Sequence, residues 1–345
     1  MDHRKTNIKD IAKSTSLSIT TVSRVLNGKA KQYRISEKSQ KKIVEVAEAL
    51  NYIPNQIAVN LQSGRTRTIA LIIPSLMNPY FSRIAGMINM ELQRMGYATL
   101  ISDCNENPKI EEEELKQMSS RNVEGIIIAP CGSSPDPFRH SQNLKIPVIC
   151  LDRYIDGLEI PFVSTDNYLG AYQATKHFIR NRHTHIACIQ GIESSMPNKL
   201  RIKGFKAALE EEGINTSNIS GNDFSVENGY TETLFLLQNK PKPTAIFAMS
   251  NTIALGCISA LKEYNLRIPE DISLIAFDDH PYLDYLSTPL TCVAQPVNDI
   301  CKTAVRLLFS LINDEEIKSK QIFLKPTLKL RESVKRLNLR LNLTD

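Results

Sequence analysis

The sequence predicts a small all-α head joined to an α/β core of two doubly wound parallel-sheet subdomains. Three observations carry this. Basic charge is concentrated in the first 67 residues. Two short helical patterns flank a tight turn within that stretch. From Thr68 onward short apolar runs alternate with helical stretches.

Residues 1–67 hold 13 Lys/Arg against 5 Asp/Glu, a net of +8. The remaining 29 basic and 32 acidic residues give −3, so the formal total of +5 hides a basic head on a near-neutral body. That asymmetry fits a polyanion-binding module on a soluble core. No run approaches the ~20 apolar residues that span a bilayer. The start Met1-Asp2-His3-Arg4-Lys5 leads into a polar segment, so a cytoplasmic protein without membrane contact is expected.

In the head, Ile8, Ile11 and Ala12 recur at helical spacing, and Asn7 with Asp10 suits a helix start. Leu17-Ser18 breaks the pattern, and Ser18 is a natural N-cap for a second helix. Val22, Val25 and Leu26 are expected to face inward there, and Asn27-Gly28 to close it. Two short helices across a tight turn form a helix-turn-helix, whose second helix enters the major groove of DNA. Ile19 and Thr20 then lie where side chains meet base edges. Arg24 lies one turn on, where its fork matches guanine O6 and N7. Thr21 and Ser23 can donate to phosphate.

A third helix is expected from Ser36-Glu37-Lys38 through Ile43, Val44, Val46, Ala47 and Leu50, ending at Asn51-Tyr52-Ile53-Pro54. The next stretch, Asn55 to Gly64, is about two turns and too short to be stable alone. Folded beside a dimer mate on DNA, it could wedge Leu61 between base steps from the minor groove.

The core strands are expected at Thr68–Ile73, Ala98–Ser102, Gly125–Ala129, Val148–Leu151, His185–Gln190, Ala245–Met249 and Ser273–Phe277. Helices fall near 80–95, 109–121, 167–181, 198–212, 227–238, 250–264 and 297–312. These are too many units for one small sheet. Two hinged subdomains would place a ligand at the carboxyl ends of their strands.

Ile8-Lys9-Asp10-Ile11-Ala12, Ser18 to Asn27, and Leu50-Asn51-Tyr52-Ile53-Pro54-Asn55 with Ala58 and Leu61 resemble the head and hinge of the LacI/GalR family. The resemblance continues through Asn78-Pro79-Tyr80-Phe81, Asp152-Arg153, Asp166-Asn167-x-x-Gly170-Ala171, Arg201-x-x-Gly204-Phe205, Ala254-x-Gly256, Phe277-Asp278-Asp279 and Pro289-Leu290-Thr291. It covers about residues 7–333. Each motif is weak singly; their order and spacing are specific.

The resemblance implies an operator-binding transcriptional regulator, a homodimer on a pseudo-palindrome, with a periplasmic-binding-protein-like core that takes a small effector. A sugar or sugar acid is the first expectation. A purine or a phosphorylated carrier protein as corepressor is the alternative. Ile19, Thr20 and Arg24 would read bases, and Leu61 would be the wedge. Ser18, Asn27, Asn55, Ala58 and Gln62 would join them against DNA. Arg201 and Asp278 would contact effector, with Tyr80, Phe81, Asp152, Arg153 and Phe224 as neighbours. The implied partition is 1–50 head, 51–67 hinge, 68–163 with about 293–320 as one core half, and 164–292 with about 321–335 as the other.

Two departures stand out. Lys29-Ala30-Lys31-Gln32-Tyr33-Arg34-Ile35 looks about three residues longer than the usual family loop and carries three cations, so Tyr33 and Arg34 are expected near phosphate. Ser250-Asn251 replaces the usual Asn-Asp, which alters the polar contacts on that side of the effector site. Arg153, Lys199 and Arg201 together would bias the cleft toward an anion, such as a sugar acid.

Other signals are read as structural. The seven cysteines lack metal or redox spacing and are expected to be buried thiols. His183 and His185 are expected on one face of a strand start without a third ligand. Glu111–Glu114 is expected as a solvated first turn. Neither cofactor nor metal is expected. No nucleophile elbow or P-loop supports an enzyme, and the basic head argues against a transport solute-binding protein. Leu337, Leu339, Leu341 and Leu343 alternate with period two, which is not a heptad, so a dimer is expected rather than a tetramer.

Overall fold

The computed structural model describes residues 6–52, 65–139, 145–214 and 218–338. The hinge positions Asn55, Ala58, Leu61 and Gln62 lie outside these, as do Leu339, Leu341 and Leu343. The chain divides into two compact units, the head through Thr66 and the core from Arg67.

Among the described residues three helices build the head: α1 (Ile8–Thr15), α2 (Ile19–Leu26) and α3 (Glu37–Ala49). Asn7 and Asp10 form a capping box on α1, and Ser18 and Ser36 cap α2 and α3 through their hydroxyls. The buried seam is Ile11, Ala12, Val22, Ile43 and Ala47, with Val25, Leu26 and Val46 packed against it. Val44 and Leu50 are exposed. Val44 lies one residue past the buried Ile43, on the next face of the helix, and Leu50 is already the C-cap.

The core holds two six-stranded sheets. The first sheet uses β1 (Thr68–Ile73), β2 (Ala98–Asp103), β3 (Gly125–Ile128), β4 (Val148–Leu151), β5 (Phe162–Thr165) and β11 (Gln321–Leu324). The second uses β6 (Ile186–Ile189), β7 (Ile219–Ser220), β8 (Ala245–Ala248), β9 (Ser273–Phe277), β10 (Cys292–Ala294) and β12 (Thr327–Lys329). Pairing is parallel except where β12 runs antiparallel to β10. Central strands are buried on both faces. Ile69, Leu71 and Ile73 pack one way and Ala70 and Ile72 the other.

The helices are α4 (Pro79–Arg94), α5 (Pro108–Ser120), α6 (Asn167–Arg180), α7 (Met196–Glu210), α8 (Val226–Leu237), α9 (Asn251–Glu263) and α10 (Val297–Ile312). α10 packs on the first sheet, against α4, β3, β4 and β5. The expected partition shifts at its edges: residues 321–324 pair with β5 in the first sheet, and only β12, from Thr327, returns to the second. The sheets thus exchange chain three times, after β5, after β10 and after β11.

Two minor expectations change. Glu111 is buried, and its carboxylate accepts from the Cys131 N–H at 2.5 Å. It shares a helix face with the buried Leu115 and Met118, so its position on α5 and not its neighbours' polarity decided its burial. Burial holds its carboxyl above the usual range. His183 precedes β6 and is buried, whereas His185 is exposed. The His183 ring lies between the Thr244 hydroxyl (2.9 Å) and the Lys335 carbonyl (3.0 Å), which fastens the C-terminal segment to the second sheet. All seven cysteines are buried and unbridged.

Candidate functional site

Two sites emerge, one in each unit. In the head, Ser18, Ile19 and Thr20 are exposed at the start of α2, with Ile19 45% exposed. Thr21, Ser23, Arg24 and Asn27 are half-buried. The Ser18 hydroxyl accepts from the Thr21 N–H (3.1 Å) and lies 2.8 Å from the Thr21 hydroxyl, while Ser23 accepts from Asn27 (3.2 Å). These hydroxyls therefore set the helix start and still keep bonding capacity toward solvent. The long loop is an ordered turn. Ala30 is buried beneath it, and Ile35 N–H returns to the Ala30 carbonyl at 3.0 Å. Lys29, Lys31, Tyr33 and Arg34 all project into solvent from it.

The core site is a cleft where the two sheets' carboxyl ends converge. Its walls are Asn78, Tyr80, Phe81, Asp152, Arg153, Pro197, Arg201, Phe224, Ser250 and Asp278. Eight of the nine residues expected from sequence lie on that wall; Asn251 does not. The free space is about 20 Å³, room for roughly one water and far short of a sugar. A ligand enters only if the two halves part or the side chains move.

Each wall residue has a local cause. Asn78 caps α4 by accepting from Tyr80 N–H, and Pro79 fills the first helical position, so Tyr80 and Phe81 arrive on the first turn. Asp152 and Asp278 sit just past β4 and β9 at φ of 63° and 74°. Asp tolerates this left-handed backbone better than most residues, which turns both carboxylates out of their strand ends. Ser250 caps α9 with its hydroxyl. At Gly191 a Cβ would fall 2.1 Å from the Phe224 ring, so only glycine lets that ring close the cleft.

The two arginines are held differently. Arg153 is nearly fully buried and forms a two-pronged pair with Glu106 at 2.6 and 2.7 Å. Its guanidinium lies 5.4 Å from the Phe81 ring and 5.7 Å from the Phe224 ring. Arg201 stacks 3.6 Å from the Phe277 ring and donates to Asn167 (2.8 Å) and the Met249 carbonyl (2.6 Å), both neutral acceptors. Among the described residues no carboxylate pairs directly with it. Burial pulls the Arg201 pKa down against the field of Asp278 and Asp152.

Burial also raises the carboxyls of Asp152 and Asp278, with Arg201 opposing in both cases. Tyr80 donates to Asp152 (2.8 Å) and to Gln295 (3.1 Å), and its pKa is raised by burial and then by Asp152. Lys199 is exposed and is not part of the wall, so the expected excess of cations is absent from it. The wall carries two arginines and two aspartates, and Glu106 neutralises one arginine further.

Sequence reading missed Gln295. It lies at the crossover from β10 to α10, accepts from Tyr80 and Thr165, and donates to Asp278 at 2.5 Å. It thereby bonds to both halves of the core. A lone Gln before Pro296 carries no periodic signal. Glu106 and Asn167 were also missed as partners of the arginines. Asn251 is buried with neither amide atom paired, one residue from the cleft wall.

Residues 7–55 match the family described as bacterial regulatory proteins, lacI family, and residues 175–334 match the periplasmic binding protein-like domain. The HTH-type transcriptional regulator DegA of Bacillus subtilis is 35% identical across 97% of this chain and 99% of its own length. This chain belongs to the lacI family. As a lacI-family protein it is a DNA-binding transcriptional regulator and not an enzyme. The HTH-type transcriptional repressor PurR of Aliivibrio salmonicida is 33% identical over 96% of this chain and 99% of its own. A lacI-family regulator of Enterococcus faecium, solved with bound ribose, superposes with a TM-score of 0.71 at 29% identity, covering 79% of this chain and all of its own. Among the described residues no helix is long and apolar enough to cross a membrane.

Proposed function

We propose that this regulator is a repressor whose homodimer reads a pseudo-palindromic operator and whose affinity is set by a neutral polyol, of the sugar class, bound in the core cleft. The observation that carries the ligand class is the charge balance of the wall. Arg201 and the carboxylates of Asp152 and Asp278 offer hydroxyls the N–H donors and carboxylate oxygens that their bonds within the wall leave over, while Phe81 and Phe224 offer apolar faces to a ring. An anionic sugar acid would have to meet two buried carboxylates. A ribose-bound relative of the same fold supports the sugar class.

Ile19, Thr20 and Arg24 meet base edges from the major groove, and Thr21, Ser23 and the loop cations meet phosphate. A second copy supplies the other half-site. Apolar side chains left exposed on α4 and β2, Met90 and Ile101 among them, offer a face for it. The nearly closed cleft makes ligand binding depend on the angle between the core halves, and that angle is the lever on the paired heads. By linkage, ligand and operator then change each other's affinity by the same factor.

The test is a thermal-shift series on the full chain with neutral sugars, their carboxylated counterparts and purines. A dose-dependent rise with a neutral sugar, absent in Arg201→Ala, is expected. A response confined to sugar acids or to purines would overturn the neutral-polyol reading. Repeating operator titrations with the ligand gives the sign of the coupling.

A further inference from the structure

The Arg24 guanidinium lies 3.7 Å from the centre of the Tyr33 ring. Arg24 belongs to α2, and Tyr33 to the long turn that follows it. The turn is not a loose insertion. Lys29 N–H returns to the Arg24 carbonyl at 2.8 Å, Arg34 N–H to Lys31 at 3.1 Å, and Ile35 N–H to Ala30 at 3.0 Å. Gln40 of α3 then donates to the Ile35 carbonyl at 2.7 Å, tying the far end of the turn to the third helix. Buried Ala30 anchors the middle, and Arg34 takes the left-handed backbone, at φ 53°, that ends the turn. Tyr33 is thus carried on a hydrogen-bonded frame although it is 44% exposed.

We propose that Tyr33 is a positioning residue for base reading: its ring holds the Arg24 fork in the plane needed for a two-pronged contact with guanine. This rests on the DNA-reading role of α2 proposed above. Arginine is a long side chain whose immobilisation costs rotamer entropy, and a bidentate contact needs the fork in one plane. Among the described residues no carboxylate pairs with Arg24, so the ring is what restrains it. A cation over an aromatic face is attracted without a competing acceptor, so all five N–H donors stay free for the base. The extra residues of the turn therefore serve sequence selectivity as well as charge.

The experiment begins with full-length protein and a randomised duplex library, from which the preferred sequence is selected. Affinities are then measured for that duplex and for each single-pair variant, using wild type, Tyr33→Phe, Tyr33→Leu, Arg24→Ala and the Arg24→Ala/Tyr33→Leu double variant. The readout is the ratio of two affinities measured on the same protein, so a lowered folded fraction cancels.

The wild type is expected to discriminate by about tenfold or more at one G·C pair per half-site, a preference lost in Arg24→Ala. Tyr33→Phe keeps it. Tyr33→Leu lowers it about three- to fivefold at that pair alone. In the Arg24→Ala background Tyr33→Leu changes nothing further at that pair. The proposal is overturned if Tyr33→Leu leaves the ratio intact while Arg24→Ala removes it. It is equally overturned if Tyr33→Phe loses as much as Tyr33→Leu, which would make the hydroxyl the active group, or if the loss spreads evenly over all sequences. A wild type that selects no sequence would remove the DNA-reading proposal itself, a distinguishable result.

Discussion

The head and the core cleft solve opposite problems with the same residue types. In the head, Arg24, Lys29, Lys31 and Arg34 stand at or near the surface, and five small or medium apolar residues form the buried seam. In the cleft, Arg153, Arg201, Asp152 and Asp278 are all at most 5% exposed. Reading a polyanion needs charge left in water, with counterions to release. Holding the neutral ligand proposed for the cleft needs donors and acceptors already stripped of water, and that desolvation is a standing cost to the fold. The head is therefore marginal because its core is small, and the core is taxed at its site although its hydrophobic clusters are large.

The largest test of this contrast is Ile43→Ala. Ile43 is fully buried in the head seam, and its truncation should cost about 2 to 5 kcal/mol, enough to unfold a domain this small. Operator binding should vanish while ligand-induced thermal shifts of the core persist. Loss of both would mean that the two units do not fold independently. Next, Arg201→Ala should weaken ligand binding about 100-fold, since a charged hydrogen-bonding group goes and its two buried acceptors are orphaned with it. Calorimetric titration with the best sugar from the thermal-shift series measures it.

A third test addresses the head alone. Replacing Lys29, Lys31 and Arg34 together by Ala should make the dependence of log affinity on log salt shallower by up to about 2.7 per head, at roughly 0.9 for each phosphate no longer neutralised. An unchanged slope would place the turn away from phosphate.

The smallest effects separate two adjacent carboxylates. For Asp279, burial pushes the pKa up, but hydrogen bonds from Lys329 and Arg331 outweigh it and hold the carboxyl at about 2. Its folded value lies below the unfolded one, so its contribution is present above about pH 4 and is lost as pH falls toward 2. Asp279→Asn should cost on the order of 1 kcal/mol at pH 7 and little at pH 2, judged by melting curves. Asp278 is the reverse. Its folded value is raised, so it favours the fold only below about pH 4 and loses that advantage as pH rises through the folded value. Asp278→Asn should leave the core as stable or slightly more stable at pH 7 while weakening ligand binding. Asn also accepts the φ of 74° there. A marked loss of stability at neutral pH would show that the Asp278 charge is compensated in the unliganded fold.

Legibility followed how local each feature was. Caps, turns and doubly buried strands were readable because a capping hydroxyl or a four-residue apolar run is a local signal: Ser18 caps α2 as expected, Ser36 caps α3, and Val148–Leu151 and Ser273–Phe277 are strands. Motif glycines were readable too. Gly204 lies where a Cβ would meet the Tyr168 carbonyl at 2.2 Å, so α6 and α7 touch only because it is glycine. β5 was not readable, because Ser164 and Thr165 are polar yet buried, with Ser164 bonding to the Asp152 carbonyl. The two- to four-residue strands β7, β10, β11 and β12 are too short to show a period.

By itself the sequence determined the basic head, its helix-turn-helix, the doubly wound core and eight of the nine residues named for the cleft, because each rests on spacing or on an ordered set of motifs. Only the tertiary structure decided that Lys199 stands apart while Asp152 and Asp278 balance the arginines. It also decided that Gln295 bonds across the two halves and that Tyr33 lies over Arg24. Those are pairings between residues distant along the chain or set by one turn's geometry, and hydrogen bonds and ring contacts depend on ångström distances that no periodicity records.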